Sequence, residues 1–166
     1  MSGEARKENY YLLTQDEIKF FKALSSLIVP SGNDAKTEPG ALEVGVVTYI
    51  DSTLDSFPPP VQLYFRDCIS VVDSRSQSKF QSKFVDLSDA DKNIVLRDLF
   101  LDPKTRERVF DLRSLALEGF YSDYHDPWYD GVTGWDFTKF GGKRVSDIKK
   151  DWSFLRVWLE WNKKSE

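Results

Sequence analysis

Cysteine, histidine and methionine occur once each in the 166 residues, and long apolar runs do not occur at all. Each scarcity removes a class of function. With Cys68 alone, no intrachain disulfide and no Cys-rich metal framework can form. A Cys–His nucleophile pair would need Cys68 and His125, yet Cys68 sits in the apolar run Cys68-Ile69-Ser70-Val71-Val72. A thiol in such surroundings stays neutral and inert, so Cys68 reads as a small buried hydrophobe. No stretch approaches the roughly 18 apolar residues that mark a membrane-spanning helix. Met1 to Tyr10 is polar, with no apolar segment behind a basic one, so no export signal is visible. The expectation is a cytoplasmic chain, or one carried outward by a signal-bearing partner. The formal net charge of −4 gives no general attraction for nucleic acid. The catalytic signatures are missing too. There is no Gly-x-Ser-x-Gly elbow, no phosphate-cradling Gly-x-x-x-x-Gly-Lys loop, no Gly-x-Gly-x-x-Gly turn and no Cys-x-x-Cys-His.

What is present is aromatic bulk, with 12 Phe, 7 Tyr and 5 Trp, on a chain of one-domain length. Apolar residues recur at helical spacing and nowhere alternate with period two. Thr14-Gln15-Asp16-Glu17 has the spacing of a capping box, followed by Ile18, Phe21, Leu24, Leu27 and Ile28. Pro30, Ser31 and Gly32 stop that helix. A second helix is expected over 42–54, with Gly45 inside it as a sign of close backbone approach. Pro58-Pro59-Pro60 starts a third, carrying Val61, Tyr64, Phe65, Cys68, Ile69 and Val72. The Ser-rich stretch 73–83 reads as a surface connection, with a helical turn around Phe80 and Phe84. Ser88 caps a helix over 89–101, and Asp102-Pro103 reads as the N-cap and first residue of the next, which runs to about Tyr121. The fold class is all-α: a polar tail over 1–13, then one bundle of five or six helices over 14–166.

From Ser122 to Arg144 the helical pattern collapses into a loop with Pro127, glycines at 131, 134, 141 and 142, and aromatics at 124, 128, 129, 135, 137 and 140. Loops this long in a compact domain tend to be functional. Three readings stand side by side. The aromatics tuck back into their own domain; or they dock a partner, with Tyr124, Trp128, Tyr129, Trp135 and Phe137 as anchors; or the loop holds a ligand or metal. Asp123, His125 and Asp126 are the metal candidates, but adjacent residues chelate one ion poorly, and no calcium-loop spacing is present. Glu118 is the carboxylate to watch, either as a partly buried acid with a raised pKa or as a structural hydrogen-bonding group. A last helix over 146–161 sets Ile148, Trp152, Leu155 and Leu159 on one stripe, beside Phe154, Trp158 and Trp161. That face suits either core packing or docking.

Two stretches carry a family resemblance. One is Pro39-Gly40-Ala41-Leu42-Glu43-Val44-Gly45-Val46-Val47-Thr48-Tyr49-Ile50-Asp51. The other is Leu115-Ala116-Leu117-Glu118-Gly119-Phe120-Tyr121-Ser122-Asp123, followed by Gly134-Trp135 and Phe140-Gly141-Gly142. With the helix after Leu87-Ser88, the chain resembles the gluconate 2-dehydrogenase subunit 3 family over about residues 15–142. Many members continue Ser-Asp with Pro and a Tyr-Gly-Gly-Asn run, where this chain has Tyr124-His125-Asp126-Pro127-Trp128-Tyr129-Asp130-Gly131. The resemblance implies a small subunit of a flavin-dependent dehydrogenase for sugars, sugar acids or polyols. The large subunit carries FAD and the catalytic histidine, and in some complexes a haem c subunit takes the electrons onward. The small subunit has no catalytic residues of its own and supports folding, stability or export of the large one. Glu118, Gly119, Ser122, Asp123 and Gly134 would then shape the docking loop. The rival expectation is a stand-alone carbohydrate-binding module, with the loop's rings stacked on sugar faces.

Overall fold

The computed structural model describes residues 10–34 and 38–122. These form five α-helices and one 3-10 turn, with no strand among the described residues. The helices are α1 (Gln15–Ile28), α2 (Val46–Ser56), α3 (Pro59–Phe80), α4 (Asp89–Leu101) and α5 (Arg106–Tyr121). The all-α bundle read from the sequence is the fold. The expected helix over 146–161, and the loop beyond Ser122, lie outside the described residues.

Helix α1 begins as its sequence dictates. The Glu17 amide donates to the Thr14 hydroxyl at 3.3 Å, and the Thr14 amide donates to the Glu17 carboxylate at 2.7 Å. These reciprocal bonds satisfy amides that the first turn leaves orphaned. Glu17 also receives the Arg66 guanidinium of α3 at 2.9 Å. Burial pushes the Glu17 pKa up, but the bonds from Thr14 and Arg66 outweigh it and hold the carboxyl below its ordinary value.

The core is a contiguous block of side chains from every element. Phe20, Phe21 and Leu24 of α1 meet Ile50 of α2, Val72 of α3, Val95 and Leu99 of α4 and Leu112 of α5, all essentially buried. Phe84, in the 3-10 turn Phe84–Asp86, packs its ring 5.3 Å from that of Phe20. Helix α5 lies at the centre and touches the other four.

Three boundaries differ from the sequence reading, each for a local reason. The second helix starts at Val46, not at 42, because residues 41–45 form a turn that ends with Gly45 at φ 78° as the N-cap. Gly45 therefore supplies a left-handed residue, which a side chain would strain, and is not a mid-helix glycine. The Ser-rich stretch expected to be a connection is mostly the last two turns of α3. Its polar residues bind locally: the buried Ser76 hydroxyl donates to the Val72 carbonyl at 2.9 Å. Asp73 accepts the Phe84 amide at 3.0 Å, and Arg75 and Lys79 pair with Asp102 and Asp98 at the far end of α4. Hydrophobic periodicity is blind to a helix end held by such links. Last, Pro103 is not the first residue of α5. Asp102 closes α4, its carboxylate accepts the Lys104 amide at 3.0 Å, and the resulting turn delays α5 to Arg106.

Candidate functional site

The two stretches that carry the resemblance lie apart in sequence and together in space. The first wraps from the end of α1 into α2. The Ala41 amide donates to the Val29 carbonyl at 2.9 Å, and Glu43 accepts both the Gly40 amide (2.9 Å) and the Ser31 hydroxyl (2.8 Å). A Cβ on Gly40 would sit 2.5 Å from the Ser31 nitrogen, so no other residue fits there without moving backbone. The stretch ends at Asp51, whose buried carboxylate accepts three successive amides, from Tyr11 (2.7 Å), Leu12 (3.0 Å) and Leu13 (2.8 Å). Nothing near Asp51 in the sequence indicates a role for it. The structure makes it the clamp that fastens the chain before α1 to the bundle, and Tyr10, Leu12 and Leu13 already pack against the core.

The second stretch is the last part of α5. Its Gly119 is buried against α2, where a Cβ would lie 2.9 Å from the Tyr49 ring and 3.0 Å from a Val46 methyl. The close approach expected at Gly45 is made instead at Gly119. Ser122 closes the helix, its hydroxyl donating to the Gly119 carbonyl at 3.0 Å. Glu118 is exposed, which corrects the reading of it as a partly buried acid. Gly119 and Ser122 thus shape the end of α5. Asp123, Gly134 and the anchors Tyr124, Trp128, Tyr129, Trp135 and Phe137 lie outside the described residues, as do His125 and Asp126.

Chemistry elsewhere is sparse. Cys68 is buried, and burial pushes its thiol up to about 11. That agrees with the inert hydrophobe read from its run. Beside it the Tyr64 hydroxyl donates to Asp111 at 2.6 Å, and burial with that bond raises the phenol above its usual range. No group of three or more His, Cys, Asp or Glu able to hold a metal occurs among the described residues. A pocket of about 70 Å³ beside Leu42 and Thr48 falls well below the roughly 300–1,000 Å³ of ordinary ligand sites. A shallow groove of about 270 Å³, lined by Ser70, Ser74, Arg75 and Thr105, offers no aromatic platform for a sugar ring. No helix among the described residues is long and apolar enough to cross a membrane.

Comparison with known proteins agrees with the two stretches. Residues 15–142 match the family model described as gluconate 2-dehydrogenase subunit 3. No curated protein and no solved structure gives a match.

Proposed function

Because the chain belongs to the gluconate 2-dehydrogenase subunit 3 family, we propose that it is the non-catalytic accessory subunit of an FAD-dependent sugar, sugar-acid or polyol dehydrogenase. It binds and stabilises the large flavoprotein subunit. The FAD belongs to that partner, and a cytochrome c subunit serves as the electron outlet where one is present. A signal on the large subunit would carry both chains across a membrane together.

One observation carries this reading. Among the described residues, those that mark the family are used for structure. Gly40, Ala41 and Glu43 tie the α1–α2 connection, Asp51 clamps the N-terminal segment, and Gly119 seats α5 on α2. In an enzyme, the marked residues would include an acid, a base or a nucleophile facing a cleft. Here the described ones tie α1, α2 and α5 into a base, and the aromatic-rich segment follows α5 in sequence. Such a base lowers the entropy cost of presenting a loop to a partner.

Trp128, Tyr129 and Trp135 are the principal anchors. Trp128→Ala and Trp135→Ala are each expected to weaken the complex by about 2 kcal/mol, or roughly 30-fold in Kd, while leaving the Tm of the isolated chain unchanged. Titration of labelled variants against the large subunit measures this. Unaltered affinity in both would remove the loop from the interface. Calorimetry of the isolated chain with a panel of sugars tests the carbohydrate-module rival: saturable heat would favour that rival.

A further inference from the structure

Helix α5 touches the other four helices, yet one side of it meets none of the described elements. Phe110 is 52% exposed and Tyr121 45%, with half-buried Ser114 and Leu117 between them. These four residues follow one another at intervals of four, three and four, which sets them on one stripe of about 17 Å. Phe100, also exposed, extends the stripe at its N-terminal end, where Arg106 lies over its ring. Monomeric proteins rarely leave such a stripe uncovered along a whole helix.

The sequence beyond the described residues repeats that spacing. Ile148, Trp152, Leu155 and Leu159 repeat the same intervals of four, three and four. We propose that residues 146–161, which the sequence pattern reads as a helix, lie antiparallel on the outer face of α5. Phe110 then faces Leu159, Ser114 faces Leu155, Leu117 faces Trp152 and Tyr121 faces Ile148. Small Ser114 opposite Leu155, and Trp152 opposite Leu117, alternate bulk across the seam.

Charge supports this direction. The residues flanking the α5 stripe are Arg113 on one side and Glu118 on the other, both exposed. The corresponding flanks of the second stripe are Asp151 and Arg156. In an antiparallel pair, like flanks meet, giving Arg113 with Asp151 and Glu118 with Arg156. A parallel pair joins opposite flanks and sets Arg113 against Arg156 and Glu118 against Asp151. The connection is easily long enough: residues 123–145 reach up to about 75 Å, and the antiparallel arrangement needs only a return to the end of α5. The loop would thus leave from Ser122 and come back beside it, held at both ends. The proposal rests on the helical reading of 146–161 and not on the proposed function.

Disulfide trapping in the full chain tests it. Ser114→Cys with Leu155→Cys places the thiols on facing positions, whereas Ser114→Cys with Ile148→Cys places them two helical turns out of register. Buried Cys68 does not compete. Under mild oxidation the first pair is expected to close within one chain roughly tenfold faster than the second. Equal closure, failure of the first pair, a link between two copies, or closure only with the large subunit bound would each overturn the proposal. A charge swap guards against a packing defect from the cysteines. Glu118→Arg is expected to lower the Tm and added Arg156→Glu to restore it; a double variant no better than the single one contradicts the pairing.

Discussion

Asp51→Ala is expected to lower the stability of the domain by about 3–4 kcal/mol, a Tm loss of roughly 10–15 °C. Asp51 is 1% exposed, and its two oxygens serve three consecutive amides. Alanine removes the acceptor from all three donors. It also releases the segment that leads into the Thr14 cap, so Leu12 and Leu13 lose their seat against the core. Charged acceptors of this kind contribute more than neutral ones, and a buried donor left without a partner costs about 1–3 kcal/mol. Asp51→Asn sharpens the test. Its carbonyl can still accept from Leu12 and Leu13, which share one oxygen, but its amide group faces the Tyr11 N–H. About half the loss should remain. Chemical denaturation of the three proteins decides the matter. A change below about 1 kcal/mol for alanine would mean that the clamp is not a structural element.

Gly40→Ala is expected to cost about 2–4 kcal/mol, clearly more than Gly119→Ala, although both glycines are buried at close contacts. The difference lies in what the new methyl meets. At Gly40 it would come within 2.5 Å of the Ser31 nitrogen and 2.8 Å of the Pro30 carbonyl carbon, both backbone. Relief requires the turn after α1 to shift, which breaks the Ala41–Val29 and Gly40–Glu43 bonds. At Gly119 it meets the edge of the Tyr49 ring at 2.9 Å and a Val46 methyl at 3.0 Å, side chains that can move a few tenths of an ångström. Alanine is also better than glycine inside a helix by about 1 kcal/mol, which offsets part of that clash. Thermal unfolding of the two variants gives the ranking directly. The reverse order would mean that the α2–α5 seat is tighter than the α1–α2 turn.

Much of this fold is legible in the sequence because its signals are local. The Thr14–Glu17 box, the Ser88 cap and the apolar rhythms of α1, α4 and α5 each lie within one or two turns. What the sequence concealed depends on distant partners. Nothing near Asp51 indicates that its acceptors' donors lie some forty residues earlier. Nothing in the Ser-rich end of α3 announces that Arg75 and Lys79 are held by α4. Gly45 and Gly119 look alike as letters, yet one is required by its backbone angle and the other by the helix facing it. Near the end of α5, Ser122 bonds the Gly119 carbonyl and Gly119 packs against α2. Glu118 lies on the solvent side of α5, because three-and-four spacing turns 115, 116 and 119 inward.

On the proposed function, this chain holds a flavoprotein. The most direct test is to purify the tagged full chain from its native host and record the visible spectrum of what accompanies it. A larger chain with flavin bands is expected, joined by haem bands where a cytochrome subunit completes the complex. A colourless monomer recovered alone, folded and in good yield, would contradict it.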